Sequence, residues 1–162
     1  MNTSSKSPQI DPRGPRFGAG ITSVLLLITI ALGLTQPGLG SSLAERASEP
    51  AFILLSVITA LFTWGALAGI AKHPYGALFR SLIRPRLPEP EYLEPPQPPT
   101  FAQGVGLFVS LVGLVLHLAG VPFGLVAAAA AAFIASFLNS VFGLCLGCEL
   151  YALLVRAKVI RG

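Results

Sequence analysis

Four stretches of the chain stay apolar for the length of a membrane crossing, and the segments between them are polar, charged or rich in proline. They run from Phe17 to Leu34, Ala51 to Ala71, Phe101 to Gly120, and from Phe123 toward Val155. A bilayer's hydrocarbon core is about 30 Å thick and asks for about 20 apolar residues per helix. The pattern predicts an all-α integral membrane bundle of four transmembrane helices, the last crossing over 123–145 and extending to 155. As one straight helix this last stretch would be about 50 Å long. Either it runs out along the membrane surface, or it breaks near Gly143 or Gly147, where a missing Cβ tolerates a turn.

The connection 72–100 reads in two parts. From Pro74 to Arg84, Leu78, Phe79, Leu82 and Ile83 form an apolar stripe opposite Arg80 and Arg84. This is the pattern of a short interfacial helix, with proline in its first turn. Pro85, Pro88, Pro90, Pro95, Pro96, Pro98 and Pro99 then dictate an extended strap with Glu89, Glu91 and Glu94 exposed. Residues 1–16 read as a mobile polar arm whose arginines meet lipid headgroups, and residues 156–162 as a basic tail.

Composition sharpens this picture. Of 162 residues, 53% are hydrophobic and 11% charged, and the mean hydropathy is +0.73. Four crossings use nearly the whole chain, leaving no length for a soluble catalytic domain. The net charge of +4 does not point to nucleic acid, because the basic residues flank the apolar stretches. Lys6, Arg13 and Arg16 precede the first, Lys72, Arg80, Arg84 and Arg86 follow the second, and Arg156, Lys158 and Arg161 end the chain; Arg46 alone lies in the other set of connections. The positive-inside bias therefore predicts a multi-pass protein of an inner membrane with both termini cytoplasmic. The small residues of Ser42-Leu43-Ala44 suit a signal peptidase, but the first apolar run exceeds a signal core and is read as retained.

Small residues mark where helices can approach closely. Gly65 and Gly69 form a GxxxG pair, and Ala127, Ala131, Ala135, Asn139, Gly143 and Gly147 recur at four-residue spacing. Both are read as packing surfaces, with Asn139 as a hydrogen-bonding link across the bundle.

Cys145 and Cys148, the only cysteines, form a C-x-x-C pair followed by Glu149. Such a pair can cycle between dithiol and disulfide, carry sulfur as a persulfide, or supply half of a tetrahedral metal site. If a new helix starts after Gly143, Cys145 sits at its N-terminus, where unpaired amides favour the attacking thiolate. Cys148 is then the resolving thiol, and Glu149 a candidate proton relay or a negative neighbour that slows attack. In a reducing cytoplasm the resting state is expected to be the dithiol. The metal alternative recruits His73 beside Cys145 and Cys148, although His73, just before Pro74, reads more naturally as a solvated loop residue. His117 falls toward the opposite end and is read as bonding a neighbouring helix. No serine, histidine and acid set and no phosphate-cradling loop appears, and no cofactor is called for. The other class of reading is a structural or assembly subunit in which the cysteines have no chemistry.

Asp11-Pro12-Arg13-Gly14-Pro15-Arg16-Phe17, His73-Pro74-Tyr75 with Leu78-Phe79-Arg80, Pro85-Arg86-Leu87, Phe101-Ala102-Gln103-Gly104-Val105-Gly106 and the segment from Cys145 to Tyr151 together carry a resemblance. From Asp11 to about Leu154 the chain resembles the bacterial domain-of-unknown-function 4395 family of small membrane proteins. The resemblance implies a membrane architecture and a marked C-x-G-C motif, assigns no catalytic residues, and implies thioredoxin-like or rhodanese-like sulfur enzymes as partners.

Overall fold

The computed structural model describes residues 9–36 and 38–160. Lys6, Arg161 and the first half of the N-terminal arm lie outside the described residues. Helices α1 (Arg13–Thr35), α2 (Leu43–Ser48), α3 (Pro50–Ala68), α4 (Pro74–Leu78), α5 (Gln97–Leu118), α6 (Gly124–Phe137) and α7 (Leu146–Arg156) follow in order. Four are long and apolar enough to cross a membrane: α1, α3, α5, and α6 together with a π turn over Leu138–Phe142. They close into a ring in which α1 packs on α3 and α6, and α5 packs on the same two helices. The core at the ring's centre joins Leu26 of α1, Leu55, Ile58 and Phe62 of α3, and Leu125, Ala129 and Ala132 of α6. Val24, Leu27, Ile53, Leu67 and Phe108 point outward, as helices dissolved in lipid require.

Lipid tails do not drive apolar helices together, so close backbone approach must. A Cβ on Gly106 would lie 2.6 Å from the Phe62 ring, one on Gly113 2.6 Å from Ala128, and one on Gly65 2.6 Å from Gln103. Gly65 is therefore the packing residue expected of it. Gly69 is not: it ends α3 at φ 85° with nothing within 4 Å of its missing Cβ, and its use is the left-handed turn. Buried hydroxyls cost nothing unpaired here, because Thr29, Thr59 and Ser110 bond carbonyls of their own helix at 2.9, 2.7 and 3.1 Å.

The described end of the N-terminal arm, from Gln9, is tied to the strap. The first helix begins at Arg13 rather than Phe17, and Ile10 pairs antiparallel with Glu94 through N–H···O bonds of 2.9 and 3.0 Å. Asp11 accepts from Arg13 Nη2 at 2.7 Å and meets Arg84 Nε at 3.2 Å, while Arg13 Nη2 also donates to the Pro88 carbonyl at 3.0 Å. An extended proline-rich strap has no ladder of its own, and Ile10 satisfies backbone groups it would otherwise leave to water. Glu94 is consequently half-buried rather than exposed.

The two carboxyls of this clamp respond oppositely to pH. The Arg13 hydrogen bond holds Asp11 below the usual carboxylate range, so its stabilisation is present above that range and lost as pH falls through the lowered value. Burial, and then the charge of Asp11, push Glu94 up. Its ionised form is therefore penalised by folding, fully above the raised value and not at all below the unfolded one. Glu94→Gln is expected to raise the melting temperature at neutral pH and to flatten its rise on mild acidification, whereas Asp11→Asn is expected to lower it. Melting curves in detergent across pH check both signs.

The predicted interfacial helix is present as α4, a π turn over Phe79–Ile83 and a 3-10 turn over Arg84–Arg86. Phe79 of its apolar stripe docks on α1 together with Tyr75, where a Cβ on Gly14 or Gly18 would touch them at 3.4 Å, whereas Leu78 and Leu82 are exposed. The last apolar stretch breaks at the first of the two expected glycines. Gly143 adopts φ 70°, its N–H bonds Asn139 O at 3.0 Å, and Leu144 N bonds Leu138 O at 3.2 Å. Arg16 reaches the Ser140 and Val141 carbonyls at 3.4 Å, a cation placed on the negative end of the helix.

Candidate functional site

Beyond the Gly143 turn the chain enters α7, which packs on the start of α5. Phe101 and Tyr151 rings lie 5.6 Å apart, and a Cβ on Gly147 would lie 2.5 Å from Ala102 Cβ. Cys145 is the N-cap of α7, extended at φ −88°, and its Sγ accepts the Cys148 N–H at 3.3 Å. The two sulfurs are joined as a disulfide across a Cα–Cα distance of 5.2 Å. The dithiol expected from the cytoplasmic reading is thus not the form observed, and the reason is local. One helical turn starting at an N-cap brings residues i and i+3 within disulfide range. Both cysteines are half-buried, so neither is sealed in the core.

On release, a Cys145 thiolate would keep the Cys148 N–H and the positive end of the α7 dipole, both of which stabilise it. Glu149 is exposed, its N–H bonding Cys145 O at 3.0 Å. It sits one turn from Cys145 on the outer side of α7.

Cys145 opens onto a cavity of about 580 Å³ between α1, α3, α4, α5 and α6. The ridge of small residues explains the space. Ala131, Ala135, Asn139 and Gly147 line the cavity, while the residues of α6 that pack are Leu125, Ala128, Ala129 and Ala132. The members of the four-residue spacing divide by role: Ala131, Ala135 and Asn139 border the void, Gly143 makes the turn, Gly147 also packs on Ala102 of α5 as a packing residue should, and Ala127 is exposed. Asn139 makes no side-chain hydrogen bond among the described residues, so it is not the interhelical link expected; it lines the cavity. Gln103 of α5 and Tyr75 of α4 also line it. Sequence reasoning passed over both. Gln103 is the one carboxamide of its apolar stretch, and an intramembrane polar residue is the signal that could have found it.

His73 also borders the cavity, and it corrects the solvated-loop reading. It is 2% exposed, caps α4 by accepting Tyr75 N–H on Nδ1 at 3.2 Å, and meets Leu61 O through Nε2 at 3.1 Å. The two contacts fix the neutral Nε2–H tautomer, and burial lowers its pKa. With both nitrogens engaged and both sulfurs in a disulfide, the set Cys145, Cys148 and His73 offers no metal ligands, and among the described residues no group of three or more His, Cys, Asp or Glu could hold an ion. Burial likewise pushes the Tyr75 phenol up, so it stays a hydrogen-bond donor.

His117 lies at the far end of the bundle, as expected, and bonds to a neighbouring helix. Its Nε2 is 2.8 Å from Glu49 Oε2, neither atom having another partner. Glu49 Oε1 also accepts Gly40 N–H at 2.8 Å. This is a loop-fixing contact, remote from the cysteines.

A family model described as Domain of unknown function (DUF4395) matches residues 10–156. No curated protein and no solved structure matches the chain.

Proposed function

Since the chain belongs to the DUF4395 family, whose description carries no activity, we propose from its own residues that it is a membrane thiol–disulfide exchange protein working through Cys145 and Cys148. The observation that carries this reading is a disulfide at a helix N-terminus whose two residues are only half-buried, with an N–H already bonded to Cys145 Sγ. A structural disulfide between residues three apart would close only a tiny loop and constrain the unfolded chain little. Its value is chemical.

The partner is a soluble dithiol protein of thioredoxin-like build. One partner thiolate attacks the disulfide at Cys148, the sulfur whose residue does not line the cavity, and Cys145 leaves as the stabilised thiolate, so that toward this partner the mixed disulfide is on Cys148 and the roles expected from the sequence are exchanged. The second partner thiolate then attacks its own mixed disulfide. The partner becomes oxidised, the S–S bond of this chain is broken, and two electrons and two protons end on Cys145 and Cys148. Basic residues at the same end of the bundle, Arg13, Arg16, Lys72, Arg80, Arg84 and Arg86, favour its placement on the cytoplasmic side, where such a partner diffuses. Mixing the purified protein with reduced thioredoxin tests the reading: oxidised thioredoxin should appear in one-to-one ratio with thiols newly open to alkylation. Thioredoxin that stays reduced while dithiothreitol opens the pair would move the reading toward another partner; a pair that neither reductant opens would leave only a structural subunit.

A further inference from the structure

We infer that the cavity beneath Cys145 binds a membrane quinone, which takes the two electrons the cysteine pair collects; this rests on the exchange reading above. A cysteine pair that oxidises a dithiol partner can turn over only if an oxidant re-forms its disulfide after each exchange. That oxidant must reach a sulfur from within the bundle or from outside, and the bundle holds a place for it. The cavity has Cys145 at its edge, Ile58, Phe62 and Val109 in its walls, and a volume of about 580 Å³, inside the range of about 300–1,000 Å³ typical of small-molecule sites.

Its polar groups select the chemistry. Gln103 on α5 and Asn139 after α6 line the cavity from two helices, their carboxamides making no hydrogen bond to protein among the described residues, and Tyr75 lines it with a phenol bonded to Thr22. Arg80 and Arg84 each spend part of a guanidinium on the protein, on Ala71 O at 3.1 Å and on Asp11. Besides these cations and Asp11, the polar side chains lining the cavity are neutral, Gln103, Asn139, Thr22 and Ser136 among them, and most of its surface is apolar. They match a flat, apolar ring bearing two carbonyl oxygens, whereas an acyl chain would bury the amides unsatisfied. The small side chains of Ala131 and Ala135 leave room for a ring along one wall.

The electron balance closes. The Cys145 thiolate adds to a ring carbon, forming a C–S bond while the ring takes the electron pair. The Cys148 thiolate then attacks Cys145 Sγ, the S–S bond forms, the C–S bond breaks, and hydroquinone leaves with the two protons lost by the thiols.

The test uses the full chain in detergent, reduced with dithiothreitol, freed of it without oxygen, and given a decyl-substituted benzoquinone. One hydroquinone is expected per disulfide re-formed, and the quinone is expected to raise the melting temperature of the disulfide form. Ala135→Leu, which fills the cavity, should raise the quinone concentration for half-maximal rate at least tenfold if it folds. Gln103→Leu should do so severalfold. Thiols that persist in front of quinone, or a melting temperature it does not move, would overturn the inference and leave the exchange reading standing. A disulfide that dithiothreitol cannot reduce would overturn both. Quinone reduction unchanged in both folded variants would overturn the cavity as its site.

Discussion

Changing either cysteine to serine is expected to lower dithiol oxidation by at least about three orders of magnitude, as loss of one member of a group that acts as a unit does. The two losses should nevertheless be distinguishable. In the wild-type chain Cys145 Sγ accepts an N–H from the first turn of α7 and lines the cavity, while Cys148 does neither. The better leaving group is therefore Cys145, and a thiolate arriving from outside goes to Cys148. A thioredoxin stripped of its resolving cysteine should form a stable adduct with the wild-type chain, and peptide mapping should find it on Cys148, with Cys145 open to alkylation. An adduct on Cys145 would reverse the assignment of attacked and leaving sulfur.

Gly147→Val should remove both stability and exchange. Gly147 lies between the two cysteines at the contact of α7 with α5, where a Cβ would stand 2.5 Å from Ala102 Cβ and 2.6 Å from Ala102 Cα. Part of that obstacle is backbone, so the two helices must separate. Overpacking of this kind costs about 1–3 kcal/mol, and the displaced element is the one that presents both sulfurs. A fall in melting temperature together with loss of thiol exchange is the expected result. Ala102→Gly should restore only part of either, because it clears the Cβ and leaves the Cα. If Gly147→Val retained wild-type exchange, the seat of α7 on α5 would not be what positions the pair.

The reach of the sequence can be followed residue by residue. The crossings are legible because apolar length is dictated by the bilayer, and the ends shift by only a few residues. The break in the last crossing narrows to Gly143 or Gly147 from length alone. Choosing between them needs tertiary facts: Arg16 sits on the carbonyls beside Gly143, and Ala102 leaves room at Gly147 for no side chain. The small-residue ridge was legible as a face, but sequence does not say whether a face meets a helix or a void. His73 looks like a loop residue because Pro74 follows it, whereas that proline starts α4 and makes His73 its cap. The pairing of Ile10 with Glu94 joins residues far apart in sequence, and no local pattern announces it. As for the site, the cysteine pair was visible from its spacing, and the cavity that gives it a second face was not, since Gln103, Tyr75 and Asn139 come from separate elements.

The most direct measurement is alkylation of the protein in sealed vesicles of known orientation, by a membrane-impermeant maleimide, before and after dithiothreitol. The account predicts no labelling before reduction and two labels after it, added only from the side that carries the basic connections. Labels added from the opposite side, or none added after reduction, would contradict it.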